Sequence, residues 1–199
     1  MKSEKYNVVF IHIPKTAGRS VAAAFEEEFL HRTVNAYPDI ARYRSLSVVR
    51  NPWDRLVSIY HYAKSYKAHQ GTRLMGPRSR VLPFASWLMY HRDNYTGPFR
   101  FYEADGRGAS SNEAGSAYWF SPQVQWLRDE HGQLAVETVI RFEELAKSWE
   151  KVVAEFGVGP LPHRNKTERG DYREYYDDYT RDVVADFAEE DIKEFGFSF

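Results

Sequence analysis

The chain contains no cysteine. Disulfides and thiolate zinc sites are therefore excluded. Nor is there a surplus of charge of either sign: 27 Lys and Arg stand against 28 Asp and Glu, a formal net charge of -1. No global field recruits nucleic acid or an acidic membrane, so any anion site must be local. Long apolar runs are missing as well. No window approaches a membrane span, and Met1-Lys2-Ser3-Glu4-Lys5 leads into strand-like sequence without an apolar leader segment. Solenoid-type repeats and low-complexity tracts are not seen. The expectation from these absences is a cytoplasmic protein with no membrane span and no nucleic-acid partner.

What is there is enough for one domain with one substantial core: 199 residues, 43% hydrophobic and 16% aromatic. Tyr6 to Ile13 reads as a short buried strand, with Val8, Val9, Phe10, Ile11 and Ile13 and almost no charge. Val21, Ala22, Phe25 and Phe29 then fall at helical spacing, with Glu26, Glu27 and Glu28 mostly on the other face as a solvated charge run. The turn between them carries Lys15, Thr16, Ala17, Gly18, Arg19 and Ser20. A strand, a tight turn and a helix start present unpaired backbone N–H groups to an anion. Lys15 adds a full charge, Thr16 and Ser20 add hydroxyls, and Gly18 lets the backbone come close.

The logic then repeats. Leu46 to Val49 is a short apolar strand, Arg50-Asn51-Pro52 breaks it, and Trp53, Leu56, Val57 and Tyr60 mark an apolar helical stripe. Asn51 suits an N-cap and Pro52 the first helical position. Arg50 thus stands at the C-terminal end of a strand, where ligands bind in open α/β sheets. Ser58 falls on the flank between the stripe and solvent, and Arg55 on the same helix completes the second polar constellation. Residues 71–118 are irregular apart from a short helix over Leu82 to Tyr90, and carry Arg73, Arg78 and Arg80 close together. A loop that long is read as a lid or substrate-facing segment, or as a disordered insert.

Glu137 to Phe142 reads as a third strand, followed by an amphipathic helix marked by Leu145, Trp149, Val152, Val153 and Phe156 and closed by Gly157. A basic and polar cluster, His163 to Thr167, comes next. Thr180 is placed to cap a last helix, Tyr172, Tyr175, Tyr176 and Tyr179 have core spacing, and Phe195 to Phe199 is expected to pack on the core. Strands alternating with helices predict an α/β fold: one domain over 1–199, a central mostly parallel β-sheet flanked by helices, and an irregular insert at about 68–118.

Two anion sites at strand ends suggest one ligand with two phosphate-type groups. The turn is neither a Gly-x-x-x-x-Gly-Lys loop nor Gly-x-Gly-x-x-Gly. Ile13-Pro14-Lys15-Thr16-Ala17-Gly18-Arg19-Ser20 instead resembles the 5′-phosphosulfate loop of sulfotransferases. Val49 to Tyr60, with Arg50-Asn51-Pro52-Trp53-Asp54-Arg55-Leu56-Val57-Ser58, resembles their 3′-phosphate segment, in the same order and separation. The likeness is to the carbohydrate and heparan-type branch and its small bacterial members. It extends to Arg141-Phe142-Glu143, Asn165-Lys166-Thr167 and the closing Phe-Gly-Phe-Ser-Phe.

The resemblance implies a P-loop-like sulfotransferase fold and the donor 3′-phosphoadenosine 5′-phosphosulfate, with no metal required. By resemblance, Lys15 to Ser20 hold the 5′-phosphosulfate, with Lys15 neutralising charge on the leaving oxygen. Arg50 and Ser58 bind the 3′-phosphate, and Lys166 and Thr167 close over the nucleotide. The acceptor is a hydroxyl, expected on a carbohydrate or glycoconjugate. The residues themselves show no metal triad. The family's base is often a His or a Glu near the phosphosulfate, between the two motifs or shortly after; His31 is the first choice, His61 and His69 are the alternates, and His12 is structural. Arg73, Arg78, Arg80 and Gln123 are candidates to meet the acceptor, and Trp126 is expected in the core. The rival readings are a P-loop kinase or NTPase and a non-catalytic nucleotide-binding protein. The first rival usually ends its second strand with Asp to hold magnesium, where this chain has Arg50.

Overall fold

Parallel strands buried on both faces must be apolar throughout, and Val8, Val9, Phe10 and Ile11 are all fully buried. In the computed structural model, residues 1–28, 30–65, 81–94, 119–162 and 169–199 are described. Among them are four strands: β1 (Lys2–Ser3), β2 (Val8–Ile11), β3 (Arg44–Val49) and β4 (Thr138–Arg141). The helices are α1 (Gly18–Ala24), α2 (Pro52–Lys64), α3 (Phe84–Asp93), α4 (Val124–Leu127), α5 (Leu145–Phe156), α6 (Asp178–Phe187) and α7 (Glu189–Phe195). The chain is thus α/β, with a sheet in the order β1-β2-β3-β4, antiparallel only at β1. Phe29, His69, Arg73, Arg78, Arg80, Lys166 and Thr167, and the insert at 68–118 apart from residues 81–94, lie outside the described residues.

These residues group into two compact units, Met1–Arg50 with Gln123–Lys166, and Asn51–Pro122 with Thr167–Phe199. The sheet belongs to the first. Phe10 pairs with Leu46 and Val48 with Ile140, so alternate residues of three strands share one face. Val21, Ala22 and Phe25 from the α1 segment and Leu145, Trp149 and Val152 from α5 cover that face. Each large apolar side chain so buried contributes roughly 1.5–3 kcal/mol. α5 stops where Gly157 takes φ 66°, a left-handed turn that glycine adopts without a Cβ penalty. The apolar spacing from Val21 to Phe29 predicts a longer first helix than exists. α1 ends at Ala24, and Glu26 turns left-handed at φ 57°. Glu26, Glu27 and Glu28 therefore follow the helix rather than decorate it.

In the second unit, Asn51 caps α2 as expected: its Oδ1 accepts from the N–H groups of Trp53 (3.1 Å) and Asp54 (3.4 Å), with Pro52 first in the helix. Its Nδ2 donates to the Ser198 carbonyl at 2.7 Å, which ties down the C-terminal segment, and Phe199 packs edge-on against Trp53. Arg55 is buried, and its guanidinium donates to the carbonyls of Ser121 and Trp119. An aromatic cluster of Tyr60, Phe84, Trp87, Tyr175 and Tyr176 fills the interior. Three expectations are corrected here. Ser58 is buried rather than on an open flank. Asp177, not Thr180, caps α6, and Thr180 is the reciprocal partner three residues in. Tyr179 is 60% exposed, because that cap breaks the tyrosine spacing that begins in the single turn Tyr172–Tyr175.

Candidate functional site

The parallel register decides what meets at the sheet's C-terminal edge. Ile11 pairs with Ser47, so the residues just past β2 and β3 run side by side. Past β2, Lys15 and Ala17 both adopt left-handed backbone, φ 70° and 66°. Each costs a non-glycine residue roughly 1–2 kcal/mol, and strain of this kind collects at functional turns. The turn is held from within. The Thr16 hydroxyl, fully buried, donates to the Ile13 carbonyl at 3.0 Å, and the Ser20 N–H donates to the Ala17 carbonyl at 2.8 Å. The hydroxyl proton expected to face an anion is thus engaged in the turn itself. Lys15 is half-buried, Ser20 is buried and Arg19 is exposed.

Past β3, the Arg50 guanidinium crosses to the same turn. It donates to the Lys15 carbonyl at 3.1 Å and lies 4.1 Å from the Phe142 ring centroid, a cation–π distance. The Arg50 cation and the backbone of the Lys15 turn therefore meet within the first unit. That donor set suits a polyanion and repels a metal cation. Ser58 lies on α2 of the second unit.

Beneath the turn sits His12. Its ring stacks on Phe10 and lies 4.1 Å from the ring of His31. It also explains Gly18. That glycine makes its close approach to the His12 imidazole, where an added Cβ would stand 1.8 Å from Cδ2. Burial above all, then the N-terminal ammonium, Arg19 and Lys15, pushes His31 down to about 4, and burial with the neighbouring His31 and the same charges holds His12 well below its ordinary value. Both imidazoles are neutral at pH 7. His31 can accept a proton there, with weak basicity for a general base. His61 belongs to the second unit, with Nε2 2.7 Å from the Tyr175 hydroxyl; burial lowers its pKa, with Arg169 and Lys64 adding to the effect.

Neutral burial has a measurable consequence. The unfolded chain protonates His12 and His31 below about pH 6.5, and the folded chain does so only at lower pH. The contribution of His31 is complete above pH 6.5 and is lost as pH falls towards 4, about 3 kcal/mol in total. Urea midpoints should fall steadily between pH 6.5 and 4.5, and His31→Asn should flatten that slope. An unchanged slope would place the acid sensitivity elsewhere.

Gln123 departs most from its expected acceptor contact. It is fully buried, its Oε1 accepts from the Arg50 N–H and its Nε2 donates to the Arg50 carbonyl, both at 2.8 Å. Phe142, named from the sequence as a strand end and in the Arg141-Phe142-Glu143 likeness, carries a contact with Arg50 that sequence reasoning does not foresee. Trp126 is buried as expected. No protein-family model matches this chain, no curated protein matches it, and no solved structure matches it.

Proposed function

We propose that this protein is a sulfotransferase that moves a sulfuryl group from 3′-phosphoadenosine 5′-phosphosulfate to an acceptor hydroxyl on a carbohydrate. The observation that carries the reading is the meeting of Arg50 with the Lys15 turn at adjacent C-terminal ends of β2 and β3. Cations, hydroxyls and backbone N–H groups are the donors that a doubly anionic nucleotide requires. The donor nucleotide supplies the sulfuryl group. In transfer, a bond forms between the acceptor oxygen and sulfur, the bond from sulfur to the 5′-phosphate oxygen breaks, and the hydroxyl proton goes to a base. Lys15 places a positive charge where the leaving oxygen becomes anionic, and Arg50 anchors the 3′-phosphate. His31 is the candidate base, held neutral in the first unit. Catalysis of this kind is mostly positioning and electrostatic stabilisation.

Adenosine 3′,5′-bisphosphate, without magnesium, should raise the melting temperature by roughly 5–10 °C at a hundredfold excess over its Kd. ATP should do little under the same conditions. Selective stabilisation by magnesium-ATP would instead indicate a phosphotransferase, and indifference to both nucleotides would sink the proposal. Binding of the bisphosphate with no turnover of the sulfated donor on any acceptor would indicate a non-catalytic binding protein.

A further inference from the structure

We infer that Gln123 is a positioning residue, fixing the direction from which Arg50 meets the 3′-phosphate through two hydrogen bonds to its main chain. The inference rests on the role proposed above for Arg50. The ladder between β3 and β4 ends with Val49 opposite Arg141. One residue further on, the Gln123 amide takes the place of a neighbouring strand. It accepts from the Arg50 N–H and donates to the Arg50 carbonyl, each at 2.8 Å. A planar amide bonded to both polar groups of one residue fixes where that residue's Cα–Cβ bond points. The guanidinium then reaches the Phe142 face and the Lys15 carbonyl. Gln123 is fully buried, so it acts through Arg50. A glutamine amide is acceptor and donor at once without a proton being added, with both groups on one planar end.

The test compares two probes on the full chain, adenosine 3′,5′-bisphosphate and adenosine 5′-phosphate, which differ by the group assigned to Arg50. Gln123→Leu should lower the preference for the bisphosphate by roughly 10- to 100-fold and leave the affinity for the monophosphate unchanged. Arg50→Ala should lower the preference by a similar factor, and the double variant should lose no more of it than either alone. A folded Gln123→Leu protein that keeps the preference overturns the inference, as does an equal loss for both probes. If that variant does not fold, Gln123→Glu decides. A neutral carboxyl both accepts and donates, whereas a carboxylate only accepts, and burial raises its pKa. The preference of Gln123→Glu relative to the unchanged protein should therefore recover on acidification, and no recovery overturns the inference. Failure of the unchanged protein to bind either probe defeats the functional reading itself, an outcome distinct from binding with an unaltered preference.

Discussion

Lys15→Ala should reduce sulfuryl transfer by about 10²–10³-fold, the usual cost of removing one group that stabilises a developing oxyanion. Stability should stay close to that of the unchanged protein. Lys15 has φ 70°, and alanine meets the same left-handed penalty as lysine, so the backbone is no more strained after the exchange. The Lys15 carbonyl that receives Arg50 is main chain and survives the substitution. The half-buried side chain leaves no deep cavity. Turnover of the sulfated donor, bisphosphate affinity and urea midpoint measured together separate charge from fold. Near-normal turnover would remove Lys15 from the chemistry.

Gly18→Ala should act in the opposite way, on the fold before the chemistry. Its Cβ would stand 1.8 Å from Cδ2 and 1.9 Å from Nε2 of His12. The imidazole has little room to yield, being 3% exposed and stacked between Phe10 and His31. Overpacking against a fixed ring costs roughly 3 kcal/mol or more, the upper part of the range for such substitutions. The melting temperature should fall by roughly 6–12 °C. Adding His12→Ala should return part of the loss, giving a strongly non-additive double-mutant cycle. A Gly18→Ala protein within about 0.5 kcal/mol of the original would mean that the turn moves off the ring at little cost.

The two outcomes bear on what the sequence could show. β2 was legible because it is a short apolar run, as burial within a parallel sheet demands, and β3 and β4 showed through the apolar residues at their centres and ends, Leu46, Val48 and Val49, and Val139 and Ile140. The start of α2 was legible because Asn51-Pro52 is a local device that works through its own neighbours. α5 was legible because Leu145, Trp149 and Val152 keep helical spacing over their whole length. The end of α1 was not, because Phe25 is buried whether the chain continues as helix or turns at Glu26, and periodicity records burial alone. The same reasoning explains Tyr179, which keeps the spacing of Tyr172 and Tyr175 across a helix cap.

At the site, Lys15 and Arg50 could be named because charges at strand ends stand out against apolar sequence. The meeting of Arg50 with the Lys15 backbone needed the register of β2 against β3. Gln123 could not be assigned its part, since a glutamine facing a ligand and one facing a peptide group look alike in a sequence. The reason for Gly18 was equally hidden, because its neighbour is a side chain from the strand before it.

The chain leaves the first unit after Arg50 and returns to it at Gln123, and these two residues are in hydrogen-bond contact. The segment from Asn51 to Pro122 therefore begins and ends beside one hydrogen-bonded pair of the first unit. The entropy of closing such a loop grows only with the logarithm of its length, about 0.6 kcal/mol for each doubling. The register of β3 against β4 is accordingly almost indifferent to how many residues lie between them. A change in the length of that segment should therefore leave the pairing of β3 with β4 in place.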